Sequence, residues 1–580
     1  MGHIIGIDLG TTNSEVAVIV DGQPQIIPVD GESIMPSCVG LDGQGKVIVG
    51  REAKNQMLLR PDETILSIKR SMGETESVVL GGQSYLPEEI SALILGKLRD
   101  AAAEFLGEEI AAAVITVPAY FDDRQRKTTR MAGELAGLEV RRIINEPTAA
   151  ALAYNIEKRD NQTILVYDLG GGTFDVSLVV VENGVVEVKA SHGDTQLGGD
   201  DFDRLLMDQV AGTFLEAHGT DLRSDSQGYN RLWSAVERAK RELSDHPYTT
   251  IKEEYISGEK HLVEEISRAA YEEMIQPLLR KTIDCVHSCL RDAAMLPGTI
   301  DRVLMVGGSS RTPLVAELLA RELRAAINDE INPELIVALG AAIQGGVING
   351  LPTTAVLIDI TPYSFGVKSC GDLYGFFSED CFAPIIKRNT PLPTSKSEMF
   401  ATMVDNQKYI GVVVYQGEEP AASANTLVGD FMVEGLSPVP AGNQIVIALQ
   451  LDLDGILAVT ASEKSTGLAK TVRMETAVVD GRGRSVKSLL AQNGEPASMA
   501  GNVNGDDNDV SNFLETGEAV NQARELRRRA TKVRNIADET DAEEMKSLIT
   551  AGREAIEARQ WELLAELNES LADLLFYLED

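Results

Sequence analysis

The 580-residue sequence carries 89 Asp and Glu against 53 Lys and Arg, a formal net charge of −36. So acidic a chain is disfavoured as a general binder of nucleic acid or anionic membranes, and its length exceeds one hydrophobic core, which predicts two to four domains. No signal peptide precedes the first strand and no apolar run reaches bilayer length, so the cytoplasm is the expected location and no membrane contact is expected.

Residues 4–22, IIGIDLGTTNSEVAVIVDG, read as an apolar strand ending at Asp8, a hydroxyl-rich turn, an alternating strand and a closing Asp-Gly. Lys69, in LSIKRSMG, reads alone as a surface lysine, or as the charge that meets a transferring phosphoryl group. The spacing of Ile90, Leu93, Ile94, Leu98 and Phe105 predicts an amphipathic helix over 87–106. A buried strand at 112–117 follows, ending in Pro118-Ala119-Tyr120-Phe121, then a helix over 122–135. The strand end Ile143-Ile144-Asn145-Glu146-Pro147 leads into an alanine-rich helix over 148–154, suited to close packing.

Residues 164–184, ILVYDLGGGTFDVSLVVVENG, repeat the order of the first hairpin. Asp168 corresponds to Asp8, and Gly171-Gly172 stand where Thr11-Thr12 stand. Three consecutive glycines give a loop whose amides can approach a large anion, and a carboxylate at a strand end suits a metal ion or its water. Taken singly the stretch also reads as a Gly-rich turn; its repetition suggests a duplicated fold gripping one phosphate chain from both sides.

The helix containing WSAVERAKRELS reads by itself as a solvated face, and 338–346 as a closing helix. Residues 351–361 read either as an exposed apolar tract or as a buried strand. From 359 to about 479 the pattern is β, with period-two runs between Gly, Pro and Asn turns. Residues 481–512 read as a flexible connector, and 513–537, 540–556 and 559–578 as three amphipathic helices. Cys38, Cys285, Cys289, Cys370 and Cys381 form no CxxC pair, and His261 and His287 lack zinc spacing, so neither disulfides nor zinc are expected.

GIDLGTTNS, VPAYFDDRQR, INEPTAAALAY, VYDLGGGTFDVS and VGGSSRTPLV occur in the order found in DnaK-type chaperones, the seventy-kilodalton heat-shock family. The resemblance covers residue 4 to about 480, with a looser echo beyond. It implies a multidomain α/β plus β protein. An actin- and sugar-kinase-like ATPase of two duplicated lobes would span 1–350, an interdomain linker 351–361, and a β-sandwich peptide-binding domain 359–480. A connector (481–512) and a helical lid (513–580) would follow. The implied function is an ATP-dependent chaperone that binds and releases short hydrophobic segments of unfolded polypeptides. A sugar kinase or an actin-like filament on the same fold would have no use for the linker and β-sandwich.

Carried over residue by residue, the resemblance places a hydrated Mg2+ between Asp8 and Asp168. It places the phosphates of ATP or ADP on Gly10, Thr11, Thr12, Asn13, Gly170, Gly171, Gly172 and Thr173, beside Gly198 and Gly199. Lys69 would stabilise the γ-phosphoryl group, and Glu146 would help position water; with Asp168 and Thr173 these form the implied catalytic set. Glu237, Lys240, Arg241 and Ser244, with Gly307, Gly308, Ser309 and Arg311, match the adenosine contacts, and K+ is a candidate companion ion. Phe365, Val367, Phe400, Met403, Ile410 and Val412 match a peptide channel, although each also reads as core. Pro118, Arg126, Val356, Leu357, Ile358 and Asp359 match the interdomain coupling elements. A J-domain co-chaperone touching Arg142, Asn145 and the linker is implied; an exchange factor is left open, and a monomer is expected. Departures are Glu334 and Thr354 in place of the family's usual residues, a longer 366–389 segment, a shorter 69–118 segment and no lid arm. The last two point towards the compact HscC-like bacterial branch.

Overall fold

The computed structural model describes residues 2–158, 161–224, 226–328, 332–351, 356–473 and seven residues among 548–572. The expected connector, most of the lid, the end of the β region (474–480) and Thr354 lie outside the described residues. Those up to 473 belong to one compact unit.

Apolar runs with strand periodicity build two mixed sheets. In the first, β1 (Ile4–Leu9), β2 (Asn13–Val20), β3 (Gln23–Ile26), β4 (Ala112–Val117) and β5 (Glu139–Asn145) lie in the order β5-β4-β1-β2-β3. A two-residue strand, Met35–Pro36, also pairs with β2. The second sheet contains β6 (Gln162–Leu169), β7 (Phe174–Glu182), β8 (Val185–Asp194), β9 (Arg302–Val306), β10 (Ala326–Asn328) and β11 (Val356–Ile358). Its order is β10-β9-β6-β7-β8-β11. Up to β8 the second order repeats the first, with the same directions: β1 and β6 run antiparallel to the next strand and parallel to the crossover strand. The turns match too, closing at Leu9↔Ser14 and at Leu169↔Phe174. The duplication expected from the sequence is therefore present in the topology.

Helices clothe these sheets: α1 (Pro87–Leu106), α2 (Asp123–Leu135), α3 (Glu146–Lys158), α4 (Gly199–His218), α5 (Ser226–Asp245), α6 (Arg268–Asp292) and α7 (Ile336–Ile348). Asp122 caps α2 by accepting the Gln125 amide (2.8 Å). Ile90, Leu93, Ile94 and Leu98 of α1 are buried as their spacing predicts, but Phe105, in its last turn, is 42% exposed. Between the sheets, α3 and α7 cross on small residues, with Ala149, Ala150, Ala151 and Ala153 sharing a core with Ala341, while Ala338 and Ala342 on another side of α7 pack on Ala17 of β2. Gly340 makes this crossing possible: a Cβ there would stand 1.9 Å from the Ala149 carbonyl oxygen.

After the linker strand β11, residues 365–473 form a sandwich of two four-stranded sheets. One holds β12 (Phe365–Leu373), β13 (Phe376–Ile386), β15 (Tyr409–Gln416) and β16 (Thr426–Glu434), in the order β13-β12-β15-β16. The other orders β14 (Thr394–Ala401), β17 (Gln444–Leu451), β18 (Leu457–Glu463) and β19 (Ala469–Arg473) in sequence. The long 366–389 segment is a hairpin ribbon, turned at Tyr374-Gly375 with positive φ at both residues. Its tip exposes Tyr374 and Phe377.

Gly340→Val forces a side chain against the Ala149 backbone, and its cost is expected at the upper end of the about 1–3 kcal/mol of core overpacking. A denaturant midpoint equal to that of the unaltered chain would show that α3 and α7 are free to part.

Candidate nucleotide site and interdomain contacts

The two matched turns, 10–13 and 170–173, face each other at the mouth of a cavity of about 760 Å3. That volume is in the range of small-molecule sites. The contact is tight: a Cβ on Gly171 would fall 1.8 Å from Thr12 Oγ1. Thr11, Thr12, Asn13, Gly171, Glu237, Lys240, Arg241, Ser244, Gly308, Ser309 and Arg311 line this cavity. Asp8, Gly10, Lys69, Glu146, Asp168, Gly170, Thr173 and Gly307 line a narrower space at its base, which shares Thr11, Thr12, Asn13, Gly171 and Gly308. The remaining sequence candidates border the same region. The amide of Gly199 donates to the Gly170 carbonyl (2.9 Å). A Cβ on Gly172 would meet Thr11, and one on Gly198 would meet Gly171.

At the base, Lys69 Nζ donates to Glu146 Oε1 at 2.5 Å, and both side chains are buried. The Lys69 ammonium also stands 5.7 Å from the centre of the Phe121 ring. The hydroxyl of Thr116 donates to Asp8 Oδ1 (2.8 Å). Burial first, and then the neighbouring Glu146, push Asp8 up to about 7 and hold Asp168 well above the ordinary carboxylate range. Asp175 is pushed up to about 7 by burial and by the same glutamate. A cation between these groups reverses that tendency.

Carboxylates and hydroxyls make an all-oxygen donor set, which suits magnesium. No three acidic, His or Cys side chains among the described residues stand close enough to hold a bare ion.

Charged contacts that sequence reasoning missed tie the walls together. Lys54 bonds Glu237 (3.0 Å) across the cavity, where Arg241 also meets Glu237 (2.7 Å). Lys240 bonds Asp203 (2.6 Å) and the Gly199 carbonyl (3.1 Å). Arg70 bonds Asp201 (2.7 Å), and Ser67 donates to Asp200 Oδ2 (2.9 Å). Arg311 reaches Glu334 at 3.5 Å. Apart from Glu237–Arg241, which are one helical turn apart on α5, no sequence motif announces these pairs, because their partners are not neighbours in the chain.

The interdomain candidates also come together. Val356, Leu357 and Ile358 form β11, which lies parallel to β8 with Val356 opposite Val185 and Ile358 opposite Glu187. The tract is thus a partly buried edge strand: Val356 is 55% exposed, while Leu357 packs against the core between the sheets. Asp359 is buried and accepts from Asn145 Nδ2 (2.9 Å) and Thr148 Oγ1 (3.2 Å). Arg126 donates to Asn145 Oδ1 (2.6 Å) and to the Ala119 carbonyl (3.0 Å), and the Pro118 carbonyl accepts from the Phe121 amide. The sandwich docks through Arg130–Asp454 (2.6 Å), the Asp123 amide on Gln416 Oε1 (2.9 Å), and Arg388 on Asp292 (2.9 Å).

The peptide-channel candidates separate by burial. Phe365, Val367 and Val412 are 1–2% exposed in the sandwich core. Phe400 and Ile410 pack half-buried against it, and Met403 is 57% exposed. All five cysteines are free thiols.

Facing turns of small residues over buried carboxylates and a lysine, beside a docked β-sandwich, fit a phosphate-binding module joined to a second module. Comparison with known proteins agrees. The profile of the Hsp70 protein family matches residues 4–79 and 74–576. The chaperone protein DnaK of Halobacterium salinarum is 42% identical over 542 residues, covering 92% of this chain and 81% of that protein. The chain belongs to the Hsp70 family; it is an ATP-dependent molecular chaperone, and it hydrolyses ATP.

Asp168→Asn keeps shape but removes a charge facing the metal space. ATP turnover in magnesium is expected to fall at least about tenfold, with the thermal unfolding midpoint unchanged. Near-full turnover in that variant would remove Asp168 from the site.

Proposed function

We propose that the described unit is the actin-like, two-lobed ATPase and the β-sandwich of an Hsp70 chaperone held in a docked arrangement, with nucleotide in the cleft controlling peptide affinity in the sandwich. The observation that carries this reading lies on one helical turn. Glu146 opens α3 and pairs with Lys69 at the base of the cleft, while Asn145 and Thr148 on either side of it bond Asp359, which follows the linker strand. A displacement of Glu146 in the cleft is thereby transmitted to the linker.

In this reading Asp8 and Asp168 hold the hydrated Mg2+, which when bound neutralises phosphate charge. The amides and hydroxyls of 10–13 and 170–173 orient the phosphates, Lys69 meets the γ-phosphoryl group, and Glu146 orients the attacking water. Glu237, Lys240, Arg241, Ser244 and the 307–311 turn hold the adenosine. K+ is a candidate second ion. Glu334 supports the adenine turn through Arg311, as the shorter aspartate would elsewhere. The sandwich takes extended, unfolded hydrophobic peptide, with Phe400, Met403 and Ile410 at the channel and Phe365, Val367 and Val412 as its floor. A J-domain co-chaperone is the expected stimulator, at Arg142 and the linker; Asn145, expected there from the sequence, is 3% exposed and engaged by Arg126 and Asp359, so it supports that surface from behind. Action as a monomer in the cytoplasm completes the proposal.

Replacing Leu357 by Asp puts a charge into the β11–β8 seam. Basal hydrolysis and peptide binding by the sandwich are expected to persist while ATP-triggered peptide release is lost, followed by stopped-flow fluorescence of a labelled peptide. Normal ATP acceleration in that variant would rule out β11 as the coupling element.

Ile410→Phe fills a half-buried position at the channel. A Leu-rich peptide is expected to bind at least about tenfold more weakly, roughly 1.4 kcal/mol. Fluorescence anisotropy beside thermal unfolding of the full chain separates this from core damage: lost stability with unchanged affinity would place Ile410 outside the channel.

A further inference from the structure

Glu15 stands directly opposite Asp8 in the β1–β2 register, so both side chains leave the same face of the hairpin. It is 4% exposed and lines the base of the cleft with Asp8, Lys69, Glu146, Asp168 and Glu334. Like charges placed directly opposite on paired strands repel, and a buried carboxylate without a partner is unfavourable.

Three of the carboxylates around it have donors. Asp8 accepts from Thr116 (2.8 Å) and Glu146 from Lys69 (2.5 Å). Asp175, which holds the matching register position opposite Asp168 in the second hairpin, accepts from the Tyr120 amide (3.1 Å). The Glu15 side chain has no hydrogen-bond or ion-pair partner among the described residues, although it is buried and borders the space beneath the phosphate loops. Asp168 shares that condition. Two unpartnered carboxylates, one from each duplicated hairpin, therefore flank the place where the nucleotide's metal belongs, and a hydrated cation supplies the donors that the protein does not.

We propose that Glu15 is a third carboxylate for the hydrated Mg2+, a positioning residue that holds metal-bound water from the β2 side of the cleft while Asp8 and Asp168 hold it from their strand ends. The proposal rests on the nucleotide reading given above. Glu15 then adds affinity and orientation for the metal, and leaves contacts with the adenosine to the opposite wall.

The test is Mg2+ titration of the full-length chain saturated with ADP, by isothermal calorimetry, beside ADP binding in EDTA. Glu15→Gln is expected to weaken Mg2+ at least about tenfold, with metal-free ADP affinity unchanged and Glu15→Asp recovering part of the loss. Asp8→Asn, run in parallel, weakens Mg2+ if the metal site is where it is placed. Unchanged Mg2+ affinity in Glu15→Gln, with Asp8→Asn impaired, overturns the role of Glu15 alone. Unchanged affinity in both overturns the metal site itself. An equal loss of metal-free ADP binding in Glu15→Gln makes the residue structural and also overturns the proposal. If Glu15→Gln fails to fold, Glu15→Leu, which removes the buried polar group, is held to the same outcomes.

Discussion

Around one buried ammonium, that of Lys69, the cleft gathers Asp8, Glu15, Glu146, Asp168 and Asp175. Bringing two lobes together over that much like charge in a dry space is unfavourable until a cation lies between them. On the reading proposed above, a magnesium nucleotide bound in the cleft offsets that charge. The rest of the molecule follows from that balance: the glycine turns let the lobes approach, and the ion pairs on the walls, Lys54–Glu237 and Lys240–Asp203, set how far they do so.

In the proposed coupling, the first turn of α3 connects the cleft to the linker. It is a packed element with little slack, because its alanines lie against α7 with no room even for a methyl group at Gly340. A shift of Glu146 toward or away from Lys69 has to move Asn145 and Thr148 as well, and both hold Asp359. A second contact lies further out, where Asp292 receives Arg388 (2.9 Å), Asn389 (3.1 Å) and the His192 ring (3.0 Å). The sandwich is thus held at both lobes, and loosening either contact weakens the whole docking.

Much of this was legible in the sequence where chemistry and local order coincide. Asp8 and Asp168 stand out because each ends an apolar strand just before a turn of small residues, and the structure repeats the match down to the register of the two hairpins. The linker was readable as an apolar tract, but not which sheet edge would take it. Lys69 had two readings, surface lysine or phosphoryl partner, and only the resemblance favoured the second, since nothing near it marks a lysine that will be buried 77 positions from its partner. Phe365, Val367 and Val412 share a strand face with their neighbours, and period-two alternation names that face without saying whether it meets peptide or the opposite sheet. Glu15 was passed over as one more charge in an acidic chain; its signal was the pairing of β1 with β2, which puts it across from Asp8.

The two sheets differ at one edge, and the difference breaks the symmetry of the duplication. In the second sheet the outermost hairpin strand, β8, runs ten residues and offers its rim to β11. Its counterpart β3 is four residues long and contains Pro24, which has no amide hydrogen to donate. A short edge strand interrupted by proline is a poor template for a further strand. The linker consequently has one berth and not two, and a chain built from a repeated unit avoids docking its second module on the wrong lobe.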